Sequence, residues 1–173
     1  MTADEYLAIG ETFERYELVD GVVCMSPSAS FEHQKISTEI ATQIAIYLRT
    51  CPIGDVVTET DVRLRDDLVY RPDVVFLRAE AAARCTGAIT ETPDLVVEII
   101  SPDSRGYDSR TKRDDYEAAG VGEYWLIDPE REKFQFLVLR EGVYVEAPAG
   151  ESRYSATVLP KFELDLDRIR RLV

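Results

Sequence analysis

Two carboxylates set into apolar runs are the residues of this chain best placed to do chemistry. Asp73 lies in RPDVVF, residues 71–76, and Glu98 in PDLVVEII, residues 93–100. Runs of β-branched apolar residues read as strands buried on at least one face. A carboxylate carried there loses its hydration unless it is paired, hydrogen-bonded or bound to a metal. Neighbouring strands lie about 4.8 Å apart, so two carboxylates on adjacent strands can hold one hard cation between them. Mg²⁺ asks for oxygen ligands and takes one or two protein carboxylates together with waters and substrate phosphate oxygens. Asp73 and Glu98, with the carbonyl of Ile99, therefore form a candidate Mg²⁺ site, with Mn²⁺ as a substitute. Such an ion would acidify a bound water and neutralise charge on a scissile phosphate.

The elements that must position these groups follow from periodicity and punctuation. Residues 107–119 predict a helix, stopped by Gly120, a preferred C-terminal residue. Its i, i+4 stripe carries Asp108, Lys112 and Tyr116. If that stripe faces the open end of the sheet, Lys112 can orient or deprotonate the attacking water, or stabilise transition-state charge. Upstream, residues 2–9 read as a short helix with Thr2 and Glu5 at capping-box spacing. Residues 15–25 read as a hairpin turning at Asp20-Gly21, and SPSAS, 26–30, as a loop. Residues 32–49 form the longest predicted helix, with Ile36, Ile40, Ile44 and Tyr47 on one stripe, ended by Pro52-Ile53-Gly54. Residues 55–64 alternate as one strand. Asp66-Asp67 then turns the chain into the strand that carries Asp73. A polar, Ala-rich connection, 78–92, leads to the Glu98 strand, which Ser101-Pro102 ends. EYWLID, 123–128, is a strand with Trp125 in the core. FQFLVL and GVYVEA make a final hairpin, and FELDLDRIRRL a short terminal helix. The expected fold is α/β (α+β): one domain, 1–173, with a mixed β-sheet flanked by helices.

Composition narrows the function classes. At 173 residues and 45% hydrophobic content the chain suits one domain with a real core. No apolar run approaches the roughly 20 residues needed to span a bilayer. The start, MTADEYLAIG, has no signal-peptide pattern. Cys24, Cys51 and Cys85 form no CxxC pair, so a cytoplasmic, reducing setting without disulfides or zinc ribbons is expected. A single histidine, His33, excludes the paired-histidine metalloprotease motifs. The net charge of −13 pulls against nucleic-acid binding. A metal site concentrates carboxylates by design, however, and the bound cation reverses the local sign. Arg105, Arg110, Lys112 and Arg113 also cluster just after Glu98, as a candidate basic face or simply a solvated helix.

Asp73 in RPD followed by Glu98 in VEII resembles the PD-(D/E)XK nuclease superfamily, with one departure. Where that pattern has lysine two residues after the glutamate, this chain has Ile100. A lysine moved to the next helix is a variation within the superfamily, and Lys112 fits it. The whole chain resembles one restriction-endonuclease-like branch, the Uma-two family. The matching segments are YELVDGVVCMSP (16–27), His33 opening the long helix, RPDVV (71–75), LVVEIISPDS (95–104), the Lys112–Tyr116 helix and GVGEYWLIDP (120–129). The resemblance implies an active site of Asp73, Glu98 and Lys112, with Glu17 as a further acidic residue and His33 as an additional candidate. It also implies a Mg²⁺-dependent endonuclease acting on nucleic acid, DNA in the first instance, and, by analogy, a homodimer.

Three readings compete at this point. The first is the DNA endonuclease. The second is a catalytically inactive binding or assembly module that kept the nuclease fold, motivated by Ile100 and the −13 charge. The third is a two-carboxylate sugar hydrolase. It would need aromatic platforms, and the sole Trp reads as core.

Overall fold

The computed structural model describes residues 1–10, 14–26, 29–102 and 104–173. Pro27 and Ser28 of the expected SPSAS loop, and Asp103 of the LVVEIISPDS segment, lie outside the described residues. Helix α1 (Ala3–Leu7) is closed by the expected capping box: Thr2 accepts the Glu5 N–H at 3.2 Å and Glu5 accepts the Thr2 N–H at 2.8 Å. Strands β1 (Tyr16–Val19) and β2 (Val22–Met25) pair through Asp20-Gly21, with φ of 48° and 76°. A two-residue hairpin turn of this hand demands positive φ at both positions, which glycine supplies freely and aspartate tolerates. Helix α2 (Phe31–Thr50) starts at Ser30, whose side chain accepts the His33 N–H at 3.2 Å. Then come β3 (Gly54–Thr58), β4 (Val62–Arg65), β5 (Leu68–Tyr70), β6 (Val74–Arg78), α3 (Ala79–Ala82) and β7 (Leu95–Ile99). A π-helical segment (Tyr107–Lys112) runs into α4 (Arg113–Ala119), closed by Gly120 in the left-handed conformation. The chain ends with β8 (Glu123–Asp128), β9 (Lys133–Arg140), β10 (Val143–Glu146), β11 (Arg153–Ser155), β12 (Glu163–Asp165) and α5 (Leu166–Arg170).

Six strands form the main sheet in the order β10-β9-β8-β7-β6-β3; four form a second, β2-β1-β5-β4; β11 and β12 make a third. The main sheet is mixed, because β7 and β8 run parallel while its other pairs are antiparallel. Strand β7 is buried on both faces. Leu95, Val97 and Ile99 pack with Ile36, Ile40 and Ile44 of α2, while Val96 and Ile100 pack with Tyr116 of α4. Period-two alternation therefore turns Glu98 toward α4. Among the described residues no helix is long and apolar enough to cross a membrane.

Two strand expectations need correction. Residues 55–64 are not one strand, and the strand leading to Asp73 is not continuous. Thr58 faces Val74 in the main sheet, whereas Val62 faces Tyr70 in the second sheet. Residues 59–61 and 71–73 thus form a double corner where a long hairpin leaves one sheet for the other. Pro72 has no N–H to give to a ladder, and Glu59 sits at φ 49°. Arg71 clamps the corner through two hydrogen bonds to Asp61, at 2.7 and 3.1 Å. Asp73 stands at this corner, one residue before β6. The tail also differs from expectation, since β12 precedes the terminal helix. Its partner β11 was not expected at all; three residues with one buried side chain, Tyr154, carry too little periodicity to read.

Candidate active site

A pocket of about 510 Å³ opens where the corner, the end of β7, the π-helical segment and the β1–β2 hairpin meet. Asp73, Glu98, Ile99, Lys112, Glu17 and His33 all line it, although they are spread over four elements and the corner before β6. Asp108, Tyr107 and Arg15 complete its charged and polar wall.

Asp73 is 2% exposed. Its Oδ2 accepts the Ile99 N–H at 2.7 Å. Its Oδ1 lies 2.9 Å from His33 Nε2 and 3.4 Å from Arg15 Nη2. The His33 contact is close, but the ring N–H points off the line, so it is an electrostatic contact rather than a directed hydrogen bond. Burial pushes this carboxyl up, yet His33, Arg15 and the Ile99 N–H together prevail and hold it below the usual aspartate value.

Glu98 meets the opposite outcome. Its Oε1 accepts from Lys112 Nζ at 2.9 Å and from the Tyr116 hydroxyl at 3.0 Å. Burial pushes its pKa up to about 8; Lys112 opposes this, while Asp73, Asp108 and Glu17 add to the rise. Lys112 is itself buried, which lowers its pKa, but Glu98, Glu17 and Asp108 more than reverse that and carry it well above the usual lysine value. Both partners of one ion pair thus shift upward, which a simple pair would not do. One ammonium stands among three carboxylates, at 2.9 Å from Glu98, 3.0 Å from Glu17 and 3.8 Å from Asp108. Lys112 keeps its proton, and the carboxyls pushed upward are Glu98 and Asp108, burial being the first cause for both. The Tyr70 and Tyr107 rings, 5.0 and 5.8 Å away, add favourable quadrupoles around the ammonium.

Local structure explains why Lys112 arrives here. The π-helical segment inserts wider turns into the helix, a distortion common at functional sites. It buries Asp108 and Lys112 together. The stripe Asp108, Lys112, Tyr116 does face the sheet. Glu17 is 5% exposed and fixes the other side: its Oε1 accepts from the Arg71 N–H at 3.0 Å as well as from Lys112. It does not pair across strands with Arg15. That guanidinium instead bonds the Arg71 carbonyl and reaches Asp73. Arg15 is the site residue that sequence reasoning missed; it lies 58 positions from Asp73, with no spacing to betray the contact.

The basic cluster after Glu98 does not form one face. Arg105 bonds Asp128 at 2.8 and 3.1 Å and Glu130 at 2.6 Å, Arg110 is exposed, and Lys112 is buried in the pocket. Trp125 is fully buried and donates to Glu123 at 2.7 Å, so it offers no platform for a sugar. Among the described residues no group of three or more His, Cys, Asp or Glu side chains is set to hold a metal ion. The pocket offers two carboxylates, Asp73 and Glu98, with Ile99 beside them.

None of the curated proteins matches the sequence significantly. Among solved structures, the chain is similar to one titled "putative nuclease belonging to DUF820", from Anabaena variabilis, with a TM-score of 0.82 and 20% identity. The match covers 99% of this chain and 98% of that one, and at this identity it establishes the fold. The family model for Uma2, described as "Putative restriction endonuclease", matches residues 3–167, and the chain belongs to that family.

Proposed function

We propose that the chain is a Mg²⁺-dependent endonuclease that hydrolyses DNA phosphodiester bonds, with Mn²⁺ able to substitute. The observation that carries this reading is the convergence of Asp73, Glu98 and Lys112 on one pocket from a sheet corner, a strand end and a π-helical segment. The family description and the nuclease title of the structural neighbour point the same way. The donor set fits a hard cation: two carboxylates, Asp73 and Glu98, line a pocket with room for waters and a phosphate. Asp73, Glu98 and the Ile99 carbonyl would hold it. Bound there, the ion would supply an acidified water and neutralise phosphate charge.

The chain's own residues have separable parts. Glu98, Glu17 and Asp108 raise the Lys112 pKa above the usual lysine value, which favours its protonated, donor form. Lys112 serves as a donor that orients the attacking water or a phosphate oxygen. Glu17 is a positioning residue, holding Lys112 at 3.0 Å. His33 and Arg15 keep Asp73 ionised. The enzyme acts in the cytoplasm, where the free Cys24, Cys51 and Cys85 stay reduced. A homodimer would pair through β10, the edge strand of the main sheet with Val143 and Val145 exposed. A monomer by light scattering removes that part of the proposal.

A second reading rests on two observations: Ile100 where the superfamily pattern has lysine, and a pocket short of a three-residue metal cage. It makes the chain a non-catalytic binding or assembly module. Calorimetric titration of Mg²⁺ and Mn²⁺ into wild type and Asp73→Ala, with and without a short DNA duplex, separates the two. The endonuclease reading expects saturable binding in wild type, and loss of binding and cleavage in Asp73→Ala with the fold retained. No binding in any arm favours the module.

A further inference from the structure

Lys112 is committed to Glu17 and Glu98 on one wall of the pocket. The opposite wall carries two more basic side chains, Arg15 and His33, both turned on the same oxygen, Asp73 Oδ1. Neither is well satisfied there. Arg15 Nη2, which also donates to the Arg71 carbonyl, stands 3.4 Å off, and His33 Nε2 approaches at 2.9 Å but off-line. Arg15 Nε and His33 Nε2 are buried nitrogens without a hydrogen-bond partner, and no other buried side-chain nitrogen or oxygen among the described residues is in that position. Buried donors left without acceptors in a native structure call for an explanation, and a missing ligand is one. Arginine can only donate, so the missing partner must be an acceptor. Helix α2 begins at the same place, and its positive end adds to the field there.

We propose that Arg15 and His33 form an anion seat beside Asp73 that takes a non-bridging phosphate oxygen of a nucleic-acid strand. The identity of the strand rests on the endonuclease reading; the seat rests on the geometry. When Asp73 turns its Oδ1 to another partner, the two donors are released toward the phosphate. The seat thereby makes Arg15 a substrate-positioning residue on the wall opposite Lys112.

The test is binding of a short fluorescent DNA duplex to the full chain over a salt series, read by anisotropy with Ca²⁺ present and again in EDTA. Arg15→Gln should weaken binding about tenfold and reduce the slope of log K against log salt by about 1, the signature of one lost phosphate contact. Arg15→Lys should keep most of the slope, and Lys133→Gln, an exposed cation on β9, should change neither quantity. Melting curves establish that each variant is folded, and His33→Gln carries the same comparison if Arg15→Gln does not fold. An unchanged slope in folded Arg15→Gln overturns the seat, as does a wild type that binds no duplex in either condition. Saturable Mg²⁺ binding with an unchanged Arg15→Gln slope would leave the metal reading standing while the seat falls. Loss of metal binding with a reduced slope would do the reverse.

Discussion

Asp73 and Glu98 stand on neighbouring elements of one pocket, both almost wholly buried, and their environments pull them apart. Asp73 has one carboxylate facing a backbone N–H, an imidazole and a guanidinium, and it is held below its usual value. Glu98 shares one ammonium with Glu17 and Asp108 and is pushed up to about 8. Burial is nearly equal, so burial does not decide between them; the neighbouring charges do: His33 and Arg15 stand beside Asp73, whereas Asp73, Asp108 and Glu17 crowd Glu98 around one ammonium. One wall fixes a permanent anion. The other keeps a carboxyl near the point where it gains or loses a proton, a pattern typical of sites that do acid–base or metal chemistry.

The strongest way to break this contrast is to remove the shared ammonium. Lys112→Met leaves Glu17, Glu98 and Asp108 facing one another in a buried site. Breaking a buried ion pair from one side costs about 3–5 kcal/mol. Urea unfolding at neutral pH should show a loss of that size, and acidification should recover part of it as the carboxylates protonate. A loss below about 1 kcal/mol would mean that the cluster was already neutral.

Removing the fixed anion on the other wall should cost less. Asn in place of Asp73 can still accept the Ile99 N–H, but Arg15 and His33 lose their counter-charge. A loss of about 1–3 kcal/mol is expected near neutral pH. The sign with pH follows from the lowered pKa. The contribution of Asp73 is fully present above its ordinary value near 3.8, and it is lost as pH falls through the lower folded value. The wild type should therefore lose its advantage over Asp73→Asn on acidification. A difference that stays constant between neutral and acid pH would show that Asp73 is not held ionised.

How much of this was legible in the sequence depends on distance along the chain. The capping box at Thr2 and Glu5, the Asp20-Gly21 turn, the α2 stripe and the Gly120 stop are local signals, and they were readable. The Asp108, Lys112, Tyr116 stripe was readable too, since i, i+4 survives a π-helical insertion well enough to keep all three on one face. The corner at 59–61 and 71–73 was not. Alternation continues across a sheet switch, so residues 55–64 looked like one strand although they serve two sheets. Arg15 was hidden for a related reason: its contact with Asp73 exists only because β1 joins the second sheet beside that corner. The basic run after Glu98 misled in the other direction. Composition grouped Arg105 with Lys112, whereas the fold ties Arg105 to Asp128 and buries Lys112.

The last effect sharpens the contrast most, because its sign is reversed. Glu98→Gln keeps an oxygen to accept from Lys112 and Tyr116 and removes the carboxyl that can add a third negative charge beside Glu17 and Asp108. In the wild type, the folded state holds a proton on Glu98 that the unfolded state has released between about pH 4.5 and 8. Stability therefore falls as pH rises through that window and levels off above it. Glutamine has no such proton, so, measured against its own acid-pH baseline, the variant should gain on the wild type across the window by at most about 1.4 kcal/mol per pH unit. Thermal unfolding of both proteins from acid to mildly alkaline pH reads this directly. A variant that loses ground to the wild type across the window would show that Glu98 is ionised and welcome in the folded protein. The asymmetry between the two walls would then lie in geometry alone.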